Sequence, residues 1–209
     1  MNLNERNESI KEFFNSKADE YDSVHLKMME NKKAITESLN DNITNILDLG
    51  AGTGLELIPL LEKFPNAKVT VIDRSEHMLE NLKKREFSNE IKIICGDFFE
   101  VDFGNSYDAV ISSAALHHFN EIDKQRLYGK IYESLREGGQ FINSDRIVNT
   151  QAEQDSLMRE YEVNPNLYPH MDTPLAIENE RRILKEVGFK NIEIRNLDDE
   201  RYKLITTIK

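Results

Sequence analysis

The chain holds a single cysteine, Cys95, so no disulfide can form within it, which fits a reducing cytoplasm. Cys95 falls in a strand-like run, Ile91–Cys95, and is expected to pack rather than react. No apolar run approaches the roughly 20 residues that a membrane helix needs. The opening MNLNERNESIKEFF lacks the apolar stretch and cleavage site of a secretory signal. Positive charge is scarce, with 27 Lys and Arg against 38 Asp and Glu and a formal net charge of −11. A nucleic-acid footprint needs clustered cations, so a small molecule is the expected partner instead. The densest basic run, Lys83-Lys84-Arg85, closes an expected helix, where cations complement the helix dipole. Repeats and low-complexity tracts are also missing.

What is present fits one α/β domain spanning 1–209. Residues 1–42 read as a helical cap. Ile10, Phe13, Phe14 and Tyr21 recur at helical spacing over Asn7–Asp22, and a second helix is expected over Lys27–Leu39. Short β-branched or apolar runs then alternate with amphipathic stretches. The expected strands are the run ending at Leu49, Lys68–Ile72, Ile91–Cys95, Tyr107–Ser112 and Gln140–Ser144. Ser75 is placed to cap one intervening helix. Another, Glu121–Leu135, should pack Ile122, Leu127, Ile131 and Leu135. Such alternation calls for a parallel sheet with crossover helices. The pattern changes in the polar and aromatic segment 146–174, read as a second cap. A helix is expected from Thr173-Pro174 to Gly188, followed by two antiparallel strands joined by a polar turn.

The densest signal is NILDLGAGTGLE, Asn45–Glu56. An apolar strand bearing one acid, Asp48, runs into Gly50, Gly52 and Gly54, and a helix follows. Glycines there let the backbone reach φ > 0 and let a ligand lie against the main chain. The unpaired N–H groups at the helix start suit an anionic or acceptor-rich ligand. About 20 residues on, Asp73 ends the next strand, where a carboxylate can accept ribose hydroxyls. The third glycine comes one residue earlier than in the G-x-G-x-x-G dinucleotide fingerprint.

Taken in order, LDLGAGTG, VID, GDFF, YDAVISSAALHHF and LREGGQFINSD resemble the motifs of class I S-adenosylmethionine-dependent methyltransferases. That resemblance implies a doubly wound, mostly parallel Rossmann-like sheet of about seven strands, ending in an antiparallel hairpin and carrying a helical N-terminal cap. It implies S-adenosyl-L-methionine as cofactor and methyl transfer to a small molecule in the cytoplasm. Gly50, Gly52 and Gly54 would form the turn under the methionine part, and Asp48 would help hold its amino group. Asp73 would take the ribose and Asp97 the adenine amino group, with Phe98 and Met78 packing on the adenine faces. Ser113 and Ala114 would line the mouth near the sulfonium.

Methyl transfer needs no fixed catalytic residue, because the cofactor activates the carbon and the protein aligns the reactants. The candidate acid–base groups are His117 and Asp145, with His118 and Arg146 beside them. Tyr21, His25, Tyr161, Tyr168 and His170 lie in the two cap segments and are placed to sort acceptors. No metal is expected, since the five histidines show no ligand spacing in sequence. Three other readings share the glycine turn: an NAD-dependent oxidoreductase, a tRNA-modifying enzyme using a carboxylated cofactor, and a non-catalytic cofactor-binding partner protein. Arg146 is the one obvious cation for a carboxylated cofactor. The sequence leaves the oligomeric state open.

Overall fold

In a computed structural model, which describes residues 3–164 and 172–209, the chain forms a seven-stranded sheet with helices on both faces. The strands are β1 Asn45–Leu49, β2 Lys68–Asp73, β3 Lys92–Cys95, β4 Tyr107–Ser113, β5 Leu135–Arg146, β6 Lys190–Asn196 and β7 Tyr202–Ile208. Their order is β3-β2-β1-β4-β5-β7-β6. β1 to β5 run parallel, while β7 pairs antiparallel with both β5 and β6. The order reverses between β1 and β4, and ligands of open α/β sheets bind outside the strand ends at such a point. All seven residues of β4 are buried, as a strand covered on both faces requires.

The helices are α1 Leu3–Lys17, α2 Tyr21–His25, α3 Met29–Glu37, α4 Leu57–Lys63, α5 Glu76–Leu82, α6 Glu121–Ser134, α7 Gln151–Val163 and α8 Ile177–Val187. On one face Leu127 and Ile131 of α6 meet Ile183 and Leu184 of α8 over Val110 and Phe141. On the other, Ile35 of α3, Leu57 and Leu60 of α4, and Leu79 and Leu82 of α5 pack over Ile46 and Val71. Ser75 caps α5 by accepting from the Met78 N–H at 3.2 Å. Gly188 ends α8 in the left-handed region at φ 118°.

Several expectations need correction. The first N-terminal helix is broken into α1 and α2, and a 3-10 turn, Leu26–Met28, precedes a shorter α3. The break brings Asp22 onto the glycine turn, where it accepts from Thr53 Oγ1 at 2.6 Å and pairs with Arg85 at 2.7 Å. β5 begins at Leu135, opposite Tyr107, and skips to Gln140 opposite Ala109. The expected stop at Gly138 is thus a bulge with φ 74° inside the strand. The last helix starts at Ile177, because Leu175 and Ala176 run extended beside Val148, whose N–H donates to the Leu175 carbonyl at 3.1 Å and whose carbonyl accepts from the Ile177 N–H at 3.0 Å. Ile122 is exposed on α6, and Cys95 is exposed on the edge strand β3 instead of packing. The second cap contains α7, which the hydrophobic pattern does not reveal. Its sequence signal is a capping box, with Thr150 accepting from the Glu153 N–H and the Glu153 carboxylate accepting from the Asn149 N–H. Tyr168 and His170 lie outside the described residues.

Candidate active site

The glycine turn leaves β1 at the switch point and presses on the turn that leaves β4. Gly50 and Gly52 sit at φ 80° and 52°, as the turn required of them. Nothing lies within 4 Å of where a side chain at Gly52 would begin, so this stretch of backbone faces open space. Gly54 serves packing instead, because a Cβ there would meet Leu82 Cδ1 at 3.1 Å and hold α4 and α5 apart. Ala114, just past β4, is also left-handed at φ 54°, a strained setting of the kind held at functional clefts.

A cleft with about 650 Å³ of empty space, including its mouth, opens over this turn. Gly50, Gly52, Asp73, Met78, Asp97 and Phe98 all line it, so six of the nine sequence-chosen cofactor positions converge there. Ile10, Phe14 and Tyr21 of the N-terminal cap form its cover. Asp73 is tied to the turn, accepting from the Gly52 N–H and the Ser75 N–H at 2.8 Å each. Burial pushes its carboxyl up to about 6, against those hydrogen bonds. Burial, reinforced by the charges of Glu56 and Asp73, also pushes the Tyr21 phenol up.

The other choices sit differently. Asp97 lines the cleft with its oxygens engaged, accepting from Arg74 Nη1 at 2.6 Å and from the Phe99 N–H at 2.8 Å. Asp48 is fully buried in β1, outside the cleft lining. Its carboxyl lies within hydrogen-bond reach of the Glu56 carboxyl, so the two can share a proton. Burial first, then the Glu56 carboxylate, push the Asp48 carboxyl well up, with Lys32 opposing. Lys32 of α3 pairs with Glu56 Oε2 at 2.8 Å and donates to Ser113 Oγ at 3.3 Å. Ser113 is therefore buried behind the cleft, and Ala114 takes the rim position. Sequence reasoning missed Lys32, Glu56 and Arg74; an acid at Glu56 inside the apolar run Leu55–Leu61 was the available signal.

A second cavity adjoins the first and shares Phe14, Tyr21, Ala114 and His118 with it. His25, whose ring stacks on Tyr21 at 3.8 Å between centroids, also lines it. Its inner wall holds His117, His118, Arg146 and Asp172. The two catalytic candidates turn out to be one unit, His117 Nδ1 lying 2.5 Å from Asp145 Oδ1. Asp145 also accepts from the Leu116 and Arg146 N–H groups at 2.9 and 2.8 Å. Burial opposes its ionisation, but the charge and hydrogen bond of His117, with Lys124 nearby, hold its carboxyl below the usual range. Arg146 pairs with Asp172, so its charge is committed. The sequence spacing gave no hint that His117, His118 and Asp172 bring ligand-type atoms within 4.8 Å of one another.

A family model for a methyltransferase domain matches residues 46–139, from β1 into the β5 bulge. Over that segment the chain is a methyltransferase domain of the class I S-adenosylmethionine-dependent kind. Malonyl-[acyl-carrier protein] O-methyltransferase of Priestia megaterium is 32% identical over 139 residues, 65% of this chain and 50% of that protein. Carboxy-S-adenosyl-L-methionine synthase of Nautilia profundicola is 28% identical over 166 residues, 71% and 70% of the two chains. The chain thus matches about half the length of the first relative. Magnesium protoporphyrin IX methyltransferase from Synechocystis, solved with S-adenosylhomocysteine, shares the fold at TM-score 0.75 and 16% identity, covering 98% of this chain and 99% of its own. Among the described residues of the chain, no helix is long and apolar enough to cross a membrane.

Proposed function

We propose that the chain transfers the methyl group of S-adenosyl-L-methionine to an oxygen of a small acceptor held in the second cavity. The observation that carries this reading is the junction of the two cavities over Ala114, one resting on the glycine turn and the other ending at His117–Asp145. The residues present fit the cofactor: open backbone at Gly52 and an acceptor carboxylate at Asp73, both lining the cleft. When bound, the cofactor supplies a methyl carbon already activated by its sulfonium.

Asp73 would hold the ribose, and Met78 and Phe98 would enclose the base beside Asp97 and Arg74. The Asp48–Glu56–Lys32 cluster under the turn would steady the methionine end. Tyr21 and Phe14 close the cleft from above and exclude water, which strengthens the polar contacts within it. Asp145 fixes the imidazole of His117 through Nδ1, leaving Nε2 toward the second cavity to act on the acceptor oxygen. The name of the Priestia megaterium relative favours an oxygen acceptor. Commitment of Arg146 to Asp172 disfavours a carboxylated cofactor, which needs a cation near the transferred group.

Calorimetry with S-adenosylmethionine, S-adenosylhomocysteine and NADH, followed by a labelled-methyl screen of alcohols, phenols and carboxylic acids, tests the proposal. Binding of both sulfur nucleosides and methylation of an oxygen acceptor are the expected results. A folded chain that binds NADH alone, or neither sulfur nucleoside, would sink it.

A further inference from the structure

We propose that His117, His118 and Asp172 form a binding site for a divalent cation of the zinc class at the inner end of the acceptor cavity. Asp172 Oδ1 lies 3.6 Å from His117 Nε2 and 3.1 Å from His118 Nδ1. Ligand atoms about 2.0–2.2 Å from a tetrahedral ion stand about 3.3–3.6 Å apart, so the 3.6 Å separation fits as it stands and the 3.1 Å one needs to open by a few tenths of an ångström. All three residues are buried, and their ligand-type atoms lie within 4.8 Å of one another.

The surroundings match those of a metal centre as well. The second ring nitrogen of His117 is held by the Asp145 carboxylate at 2.5 Å, a carboxylate–histidine arrangement that fixes the tautomer and raises ligand basicity. Asp145 is itself anchored by the Leu116 and Arg146 N–H groups. The other oxygen of Asp172 pairs with Arg146, which orients Oδ1 toward the histidines. Two imidazoles and one carboxylate favour zinc, cobalt or iron over magnesium or calcium, which prefer all-oxygen sites. Among the described residues three ligands are at hand, one short of a tetrahedral set, and an outside oxygen would take the fourth position. That position faces the second cavity, which all three residues line and which meets the cofactor cleft at Ala114 and His118.

With an ion bound, His117 Nε2 is a ligand and no longer a base. The ion would take over that role, binding the acceptor oxygen of a carboxylate, or of a hydroxyl whose proton passes to water, and stabilising its anionic form where the methyl is delivered. This use rests on the methyl-transfer reading; binding of the ion does not. The two ideas are therefore tested separately on the same full-length protein.

Chelator-stripped protein is titrated with Co2+ while visible absorption is followed, and with Zn2+ by calorimetry. The expected result is one ion per chain, with d–d bands of a low-coordinate nitrogen–oxygen site. Asp172→Asn and His117→Gln should each weaken uptake by about tenfold or more. Cooperative thermal melting and retained S-adenosylhomocysteine binding certify each variant, and His118→Gln replaces one that fails. Absence of uptake by the parent protein, or uptake that the variants keep, overturns the proposal. A chain that binds S-adenosylhomocysteine but no Co2+ refutes the ion site alone. One that takes up Co2+ through these residues but binds no sulfur nucleoside supports the ion site and refutes methyl transfer.

Discussion

A Cβ placed on Gly50 would come within 2.4 Å of the Ala115 Cβ, closer than two carbons can approach. The turns that follow β1 and β4 are in contact at the switch point, and the cleft is shaped by that contact. Gly50→Ala must push the two turns apart and also hold a residue at φ 80°. We expect a loss of about 2–5 kcal/mol in urea unfolding, the sum of a strained backbone and an overpacked contact. Gly52→Ala keeps open space around its side chain and should cost only about 1–2 kcal/mol for its φ of 52°. Equal stability of the two variants would contradict the packing.

The Asp73 carboxyl, raised by burial to about 6, predicts a pH-dependent affinity. Below that value the free protein protonates Asp73 and loses an acceptor for ribose hydroxyls. S-adenosylhomocysteine binding, measured by calorimetry from pH 8 downward, should be level above pH 7 and then weaken by up to about tenfold per pH unit below 6. Asp73→Asn should flatten the profile. The folding sign is opposite to the usual carboxylate case. The native state binds the proton more tightly than the unfolded chain, whose value is near 3.8. Asp73 therefore costs stability at neutral pH, and the cost is relieved as pH falls through 6.

Asp108 has the ordinary sign. Burial works against its charge, but Arg136, the Thr44 N–H and hydroxyl, and the Asn45 N–H outweigh this and bring its carboxyl down to about 2. Its contribution is complete above 3.8 and is lost as pH falls through the folded value. Asp108→Asn should lower stability by about 1–3 kcal/mol at pH 7. The difference from the parent should shrink below pH 4, as followed by circular dichroism in an acid titration.

Lys124 and Glu180, both fully buried, join α6 to α8, and the Tyr128 hydroxyl donates to the second Glu180 oxygen at 2.7 Å. Lys124→Met leaves a buried carboxylate without its cation and should cost about 3–5 kcal/mol. The double variant Lys124→Met/Glu180→Leu should recover most of that loss, because a buried pair contributes little beyond an apolar one. A double variant as unstable as the single one would show that the pair itself holds the helices.

The sheet was legible because its information is local. Glycines at Gly50 and Gly52 mark where the chain turns, a β-branched run marks β2, and Asp73 marks its end. The cleft followed from the same signals, since the topology brings these strand ends together. What stayed hidden depends on distant partners. Lys32 reads as one more polar residue of a helix until α3 lands beside Glu56. His117 and Asp172 are far apart in sequence and meet because the Thr173 N–H closes on the His117 carbonyl. Ser113 read as a mouth residue, but strand alternation turns it toward Lys32 and gives the rim to Ala114. α7 was overlooked because Tyr161 is its only buried residue, which leaves little hydrophobic periodicity to detect.

The position of β7 sets a schedule for synthesis. In the sheet β6 pairs with β7 alone, so it leaves the ribosome before its partner exists. β5 likewise has an open edge until β7 arrives to pair Lys203 with Asp145 and Tyr202 with Arg146. The strand that completes the sheet is thus also the one that backs the acceptor wall. A nascent chain halted after β6 carries the glycine turn and the strand ends around it, yet has no finished place for an acceptor.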